Sequence, residues 1–205
     1  MTLHAVGTYE SQPGPVALFL HGWGADERDL AALAAYLPDG LEWLSVRAPE
    51  RHPAMGYAWY QLDSEESFAN VERIAAATDA LWAFLDEAVP APASVIPIGF
   101  SQGGLMASQL LRTRPERVPA AAILSGYVAP GSLPADAALG AARPPVFWGR
   151  GSADMVIPPA AIEATEAFLP MYTDLEAHVY PGMAHSVSEE EVVDLRAVRE
   201  RVLTR

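Results

Sequence analysis

"IGFSQGGLM", Ile98–Met106, places one serine between two glycines, directly after an apolar run and directly before a stretch with helical spacing. The pattern Gly99-x-Ser101-x-Gly103 fits a sharp turn from a strand into a helix. In such a turn the strained serine backbone brings the residues two before and two after it so close that both must be small. A glycine-rich packing turn would read the same way, so the surrounding chain has to decide between a spacer and a nucleophile.

Short apolar runs ended by Gly or Pro read as buried strands at Val16–Leu20, Glu42–Ala48, Ser94–Phe100, Ala121–Gly126, Pro145–Gly149 and Glu176–Tyr180. Helical patterns lie between them. Asp26 can cap a helix reaching about Leu37, and Ile74, Thr78, Leu81 and Leu85 make one face of a helix from about Ser67 to Ala88. A third spans Gln102–Thr113, and a fourth carries Ile162, Thr165, Glu166 and Leu169 and is expected to stop at Pro170. Ser188 and Glu191 read as a capping box opening a last helix that buries Val192, Leu195 and Val198.

Strands alternating with helices predict an α/β fold, with a mostly parallel central sheet and helices on both faces. No linker or repeat divides the chain, so residues 1–205 are expected to form a single domain. Pro130–Pro145 reads as a surface excursion, and no insertion is long enough for a large cap domain.

The 205 residues, 51% hydrophobic and 19% charged, suit a globular core and not a disordered chain. The balance of 26 acidic against 13 basic residues gives a net charge of −13, which repels phosphate backbones and argues against a nucleic-acid partner. The absence of cysteine removes thiolate catalysis and thiolate metal ligands. The first residues show neither a basic start nor a long apolar run, and no apolar stretch approaches the roughly 20 residues that span a bilayer. A cytoplasmic protein without stable membrane insertion is the expectation.

In open parallel sheets ligands sit beyond the carboxyl ends of the strands, so chemistry is sought just after each strand. Ser101 follows the third. A serine hydroxyl needs a base beside it and a third group to orient that base. His185, in "YPGMAHSVS" directly after the last strand, is on the same rim, whereas His178 lies inside that strand and reads as packing, and His4 lies in an N-terminal segment with no evident anchor. Asp154, in "WGRGSADMVIP", is again on the carboxyl rim; Asp174 precedes a strand and Asp194 falls in the final helix. Taken alone, Asp154 would read better as an Asx turn or helix cap. The chain order Ser101, Asp154, His185 is the nucleophile, acid, base order of α/β-hydrolases. The anion formed by serine attack needs two preset N–H donors, each worth about 3 kcal/mol. Gln102 N–H follows from the elbow, and Trp23 N–H from "LFLHGWGADERDL", with His21 bracing that loop.

These stretches together, "LHGWGAD", "RAPE", "GFSQGG", "LSGY", "GSADMVIP" and "YPGMAHSVSEEEV", resemble the phospholipase/carboxylesterase family of α/β-hydrolases, which includes the acyl-protein thioesterases. The likeness runs in order from about Val16 to Leu195. It implies hydrolysis of carboxylic esters or thioesters with neither metal nor cofactor; the lack of an insertion long enough for a large lid points to an open site and small-molecule substrates of short to medium acyl chain. The likeness matches Ser101, Asp154 and His185 to the family triad, and Trp23 and Gln102 to its oxyanion positions. It also suggests Trp59, in "GYAWYQLD", for the acyl groove, where Trp23, Met55 and Met183 are further candidates. The family usually carries a smaller residue than Trp at position 23, and an indole there would narrow the acyl pocket. Two other readings stay open. The same triad could serve acyl transfer or peptide cleavage, or the chain could be a catalytically silent binding module. Self-association into a homodimer is left open.

Overall fold

The computed structural model describes residues 3–11 and 14–195. Seven strands form one sheet in the order β1-β3-β2-β6-β7-β8-β9, namely Ala5–Gly7, Trp43–Val46, Val16–Leu20, Val95–Phe100, Ala121–Leu124, Pro145–Gly151 and Asp174–Tyr180. All neighbours run parallel except β1, which lies antiparallel on β3 at one edge. A two-stranded hairpin, β4 (Glu50–Arg51) and β5 (Tyr57–Ala58), stands above the sheet. This is the mostly parallel α/β architecture expected from the alternation of strands and helices.

The strands carry apolar residues on both faces because both faces are covered. Along β2, Val16, Leu18 and Leu20 enter one core with α1 (Val71–Ala88), α2 (Gln102–Thr113), α3 (Asp136–Ala142) and α4 (Pro159–Tyr172). Ala17 and Phe19 enter the other, against Leu30, Leu33 and Leu37, and against Leu195 of α5 (residues 189–195). Helix α2 lies at the centre of its layer, and its residues 102–112 are all buried. That placement fixes the elbow preceding it in the middle of the carboxyl rim.

Several local expectations need correction. The segment after Asp26 is a turn, closed by Arg28 N–H on Asp26 Oδ1 at 2.8 Å, followed by a 3-10 stretch, Ala31–Tyr36, and not an α-helix. Within that turn Glu27 points inward, where it forms a bidentate pair with Arg47 at 2.6 and 2.7 Å. The helix expected from Ser67 begins later, capped by Asn70 accepting Arg73 N–H, after a separate 3-10 turn, Glu65–Ala69. Pro170 does not end α4. The Leu169 carbonyl still receives Thr173 N–H, and the Arg143 guanidinium takes the carbonyls of Pro170, Met171 and Thr173, so the last turn is held from outside. The N-terminal segment is anchored: β1 pairs with β3, and His4 O accepts Arg47 N–H. Pro130–Pro145 contains α3, tied to α2 by the buried Arg112–Asp136 ion pair at 2.8 Å. Ser188 caps α5 through Glu191 N–H, yet the Glu191 side chain does not return the bond. Val198 lies outside the described residues.

Candidate active site

The elbow has the geometry its glycines foretold. Ser101 sits at φ 56°, ψ −118°, a strained conformation for a residue with a side chain. A Cβ on Gly99 would collide with the Gly103 carbonyl, and one on Gly103 with the Leu20 carbonyl. Both positions therefore require glycine. Ser101 N–H is held by the Leu124 carbonyl at the end of β7, at 2.9 Å, so two neighbouring strands aim the serine outward.

Three residues far apart in the chain converge there. His185 Nε2 lies 2.8 Å from Ser101 Oγ, and His185 Nδ1 lies 2.8 Å from Asp154 Oδ2. The second carboxylate oxygen of Asp154 accepts Val156 N–H at 2.9 Å and Ile157 N–H at 3.3 Å. Asp154 is thus both an Asx turn and the imidazole's partner, and the turn fixes the carboxylate that the imidazole meets. The histidine loop is held as well: Phe100 packs against the imidazole with ring centroids 4.9 Å apart, and Ser125 Oγ donates to Ser186 O at 3.3 Å. His178 instead stacks on Phe147 and pairs with Glu176 and Asp194, a packing role.

The loop after β2 leans on the elbow, for a Cβ added to Gly22 would lie 3.5 Å from Ser101 Cβ. Gly24 N–H donates to Tyr57 O and Tyr57 N–H to Ala25 O, both at 2.8 Å, so hairpin strand β5 straps this loop down. Ala25 N–H is taken by Gly22 O, which leaves Trp23 N–H outside these bonds. Gln102 N–H, first in α2, has no helical acceptor either. His21 is buried, which lowers its imidazole's proton affinity. Its Nε2 accepts Ala48 N–H at 3.1 Å, so the proton is on Nδ1, which donates to Gly22 O at 2.7 Å. It braces the loop as a neutral ring.

A cleft of about 490 Å³ opens over Ser101 between Trp23, Leu62, Phe68, Phe100, Tyr127 and Val156. Of the expected lining residues only Trp23, 40% exposed, borders it. Trp59 is 1% exposed and points into the core, where its indole N–H donates to His21 O at 2.9 Å. Met55, 70% exposed, lies on the outer hairpin, and Met183 serves the acid loop by accepting Ala153 N–H at 3.0 Å. These three are corrections with separate causes: Trp59 is turned inward to the His21 carbonyl, Met55 is carried outward by the hairpin, and Met183 meets the acid loop through its backbone carbonyl. Sequence reasoning missed Leu62, Phe68, Phe100, Tyr127 and Val156. Phe100 and Val156 flank the motif serine and aspartate and were legible there; Leu62 and Phe68 depend on how residues 57–70 fold back over the site. No group of three or more His, Cys, Asp and Glu able to hold a metal occurs among the described residues, and none of their helices is long and apolar enough to cross a membrane.

Comparison with known proteins places this geometry. A probable carboxylesterase of Oryza sativa subsp. japonica is 28% identical over 173 residues, 76% of this chain and 64% of that protein. Acyl-protein thioesterase 1 of Saccharomyces cerevisiae is 28% identical over 210 residues, 91% of this chain and 92% of that protein. The crystal structure of a Bacillus cereus carboxylesterase superposes with a TM-score of 0.83, covering 98% of this chain and 94% of that one at 24% identity, and so shares the fold. With the sequence profile of the phospholipase/carboxylesterase family matching residues 1–200, the chain belongs to that family of α/β-hydrolases.

Proposed function

We propose that this protein is a serine hydrolase cleaving carboxylic esters or thioesters of short to medium acyl chain through Ser101, His185 and Asp154. The observation that carries the reading is the pair of 2.8 Å contacts joining Asp154, His185 and Ser101 in series beneath an open apolar cleft. Names among its relatives, carboxylesterase and acyl-protein thioesterase, support the same class.

In this reading Ser101 Oγ attacks the acyl carbon while its proton passes to His185 Nε2. The Asp154 carboxylate accepts the Nδ1–H and stabilises the imidazolium. The tetrahedral oxyanion receives Trp23 N–H and Gln102 N–H, the latter at the positive end of α2. The protonated imidazole then gives its proton to the departing oxygen or sulfur, leaving acyl-Ser101. Water, deprotonated by the same nitrogen, releases the acid. The strapped loop and the elbow hold both donors before substrate arrives, so little reorganisation is spent on reaching the transition state. Ser101→Ala and His185→Ala should each reduce p-nitrophenyl butyrate turnover at least about 10³-fold. A fluorophosphonate probe should label the native enzyme at Ser101. Retention of more than a few per cent of turnover by either variant would refute the assignment.

A further inference from the structure

The cleft over Ser101 does not end at the imidazole. A second groove of about 500 Å³ opens on its other side, between the Asp29–Tyr36 segment and the 185–192 segment that leads into α5, and shares Phe100 and His185 with the first. Its walls include Leu33 and Val187. Apart from His185 and the Tyr36 phenol, the ionisable side chains among the described residues lining it are the carboxylates of Asp29 and Glu189. No arginine lines it, and the chain contains no lysine.

The reaction assigns the two sides different work. The proton that His185 takes from Ser101 is returned to the leaving atom, so the leaving group departs beside Nε2. With the acyl chain against Leu62, Phe68, Tyr127 and Val156, the alcohol or thiol portion has the groove beyond His185 in which to lie. We propose that this groove is the leaving-group subsite and that it selects leaving alcohols or thiols carrying positive charge over those carrying negative charge. The proposal rests on the serine-hydrolase reading above. The step itself needs no further reagent: the acyl C–S or C–O bond breaks, the Nε2 proton goes to the departing sulfur or oxygen, and acyl-Ser101 remains.

Both carboxylates lie on an exposed rim, so each acts on a bound charge through partly screened solvent and contributes a severalfold effect. The overall charge of −13 adds a field of the same sign, which draws a cation toward the groove and slows the arrival of an anion.

Three butyryl thioesters test this with one acyl group: butyrylthiocholine, S-butyryl-2-mercaptoethanol and S-butyryl-2-mercaptoethanesulfonate, with thiol release read by a disulfide dye. The thiols differ in intrinsic reactivity, so the readout is the change in kcat/KM between native enzyme and the Asp29→Asn, Glu189→Gln double variant, in which that difference cancels. The variant should lower kcat/KM for the trimethylammonium thioester on the order of fivefold and raise it similarly for the sulfonate, with the hydroxyl thioester unchanged within about twofold. Salt at about 0.5 M should compress the native preference in the same direction. The unchanged hydroxyl thioester also reports that the variant is folded. Three ratios that move together, or none that moves, would overturn the subsite. Absence of Ser101-dependent turnover of the hydroxyl thioester by native enzyme would instead overturn the serine-hydrolase reading, and the subsite with it.

Discussion

Gln102 grips the chain on both sides of the peptide between Trp59 and Tyr60: Trp59 N–H donates to its Oε1 at 2.9 Å, and its amide donates to Tyr60 O at 2.8 Å. The Trp59 indole in turn holds His21 O. The residue proposed to offer one oxyanion donor thus also ties down the loop proposed to offer the other. Gln102→Leu keeps the N–H and the bulk but leaves a buried N–H and a buried carbonyl unpaired. A loss of roughly 2–4 kcal/mol is expected. Urea unfolding should show it as a lower midpoint at an unchanged slope.

The elbow permits no Cβ at Gly103, where the obstacle is the backbone carbonyl of Leu20 in central strand β2. A backbone obstacle cannot rotate away. Gly103→Ala should therefore cost more than about 4 kcal/mol or yield no soluble protein. Gly14→Ala, where nothing lies within 4 Å of the added atom, should fall within about 0.5 kcal/mol of native. Comparison of the two by thermal melting checks the claim.

Asp154 divides its oxygens between the turn and the imidazole, so the two jobs can be separated. In Asp154→Asn the amide oxygen can keep the Val156 and Ile157 N–H bonds, while the NH₂ faces Nδ1 and forces the wrong imidazole tautomer. The melting temperature should move little, and kcat should fall on the order of 10³- to 10⁴-fold. A comparable loss of stability would show that the turn, and not the proton path, is what the carboxylate serves.

The parts of this architecture legible in the chain are those where a local requirement leaves few residues to choose from. Gly99 and Gly103 are dictated by contact, and the strands by apolar runs buried on both faces. The order of Ser101, Asp154 and His185 follows from where parallel strands end. What was not legible depends on distant partners. Nothing local to Asp26–Leu37 says that Glu27 will turn inward to Arg47, and nothing local to Pro170 says that Arg143 will reach the helix end. The walls of the cleft, Leu62, Phe68 and Tyr127, come from two segments far apart in the chain, residues 57–70 and the loop after β7. Met55 and Trp59 sit close to those walls in sequence, and the backbone turns them elsewhere, Met55 outward on the hairpin and Trp59 down to the His21 carbonyl.

Glu191 supplies the pH dependence. It is fully buried in the first turn of α5 beside Gly149 and Phe147, and neither carboxyl oxygen has a hydrogen-bond partner among the described residues. Burial raises its pKa from 4.5 to about 7, the charge of Asp194 on the same helix adds to the shift, and the polar Ser188 backbone nearby opposes them only in part. The folded protein therefore keeps this proton over a range in which the unfolded chain has lost it. The stabilising effect is full below pH 4.5, is lost as pH rises toward 7, and amounts to on the order of 3 kcal/mol. Glu191→Gln removes the titration without removing the volume. Relative to native protein, the variant should gain stability steadily between about pH 4.5 and 7 and hold that gain above it. His178, Asp194 and Tyr180, which hydrogen-bond or ion-pair at the same helix, are common to both proteins, so the difference between their stabilities reports Glu191. Urea midpoints at closely spaced pH values measure it, and a difference that stays flat across that window would mean the carboxyl is already ionised in the fold.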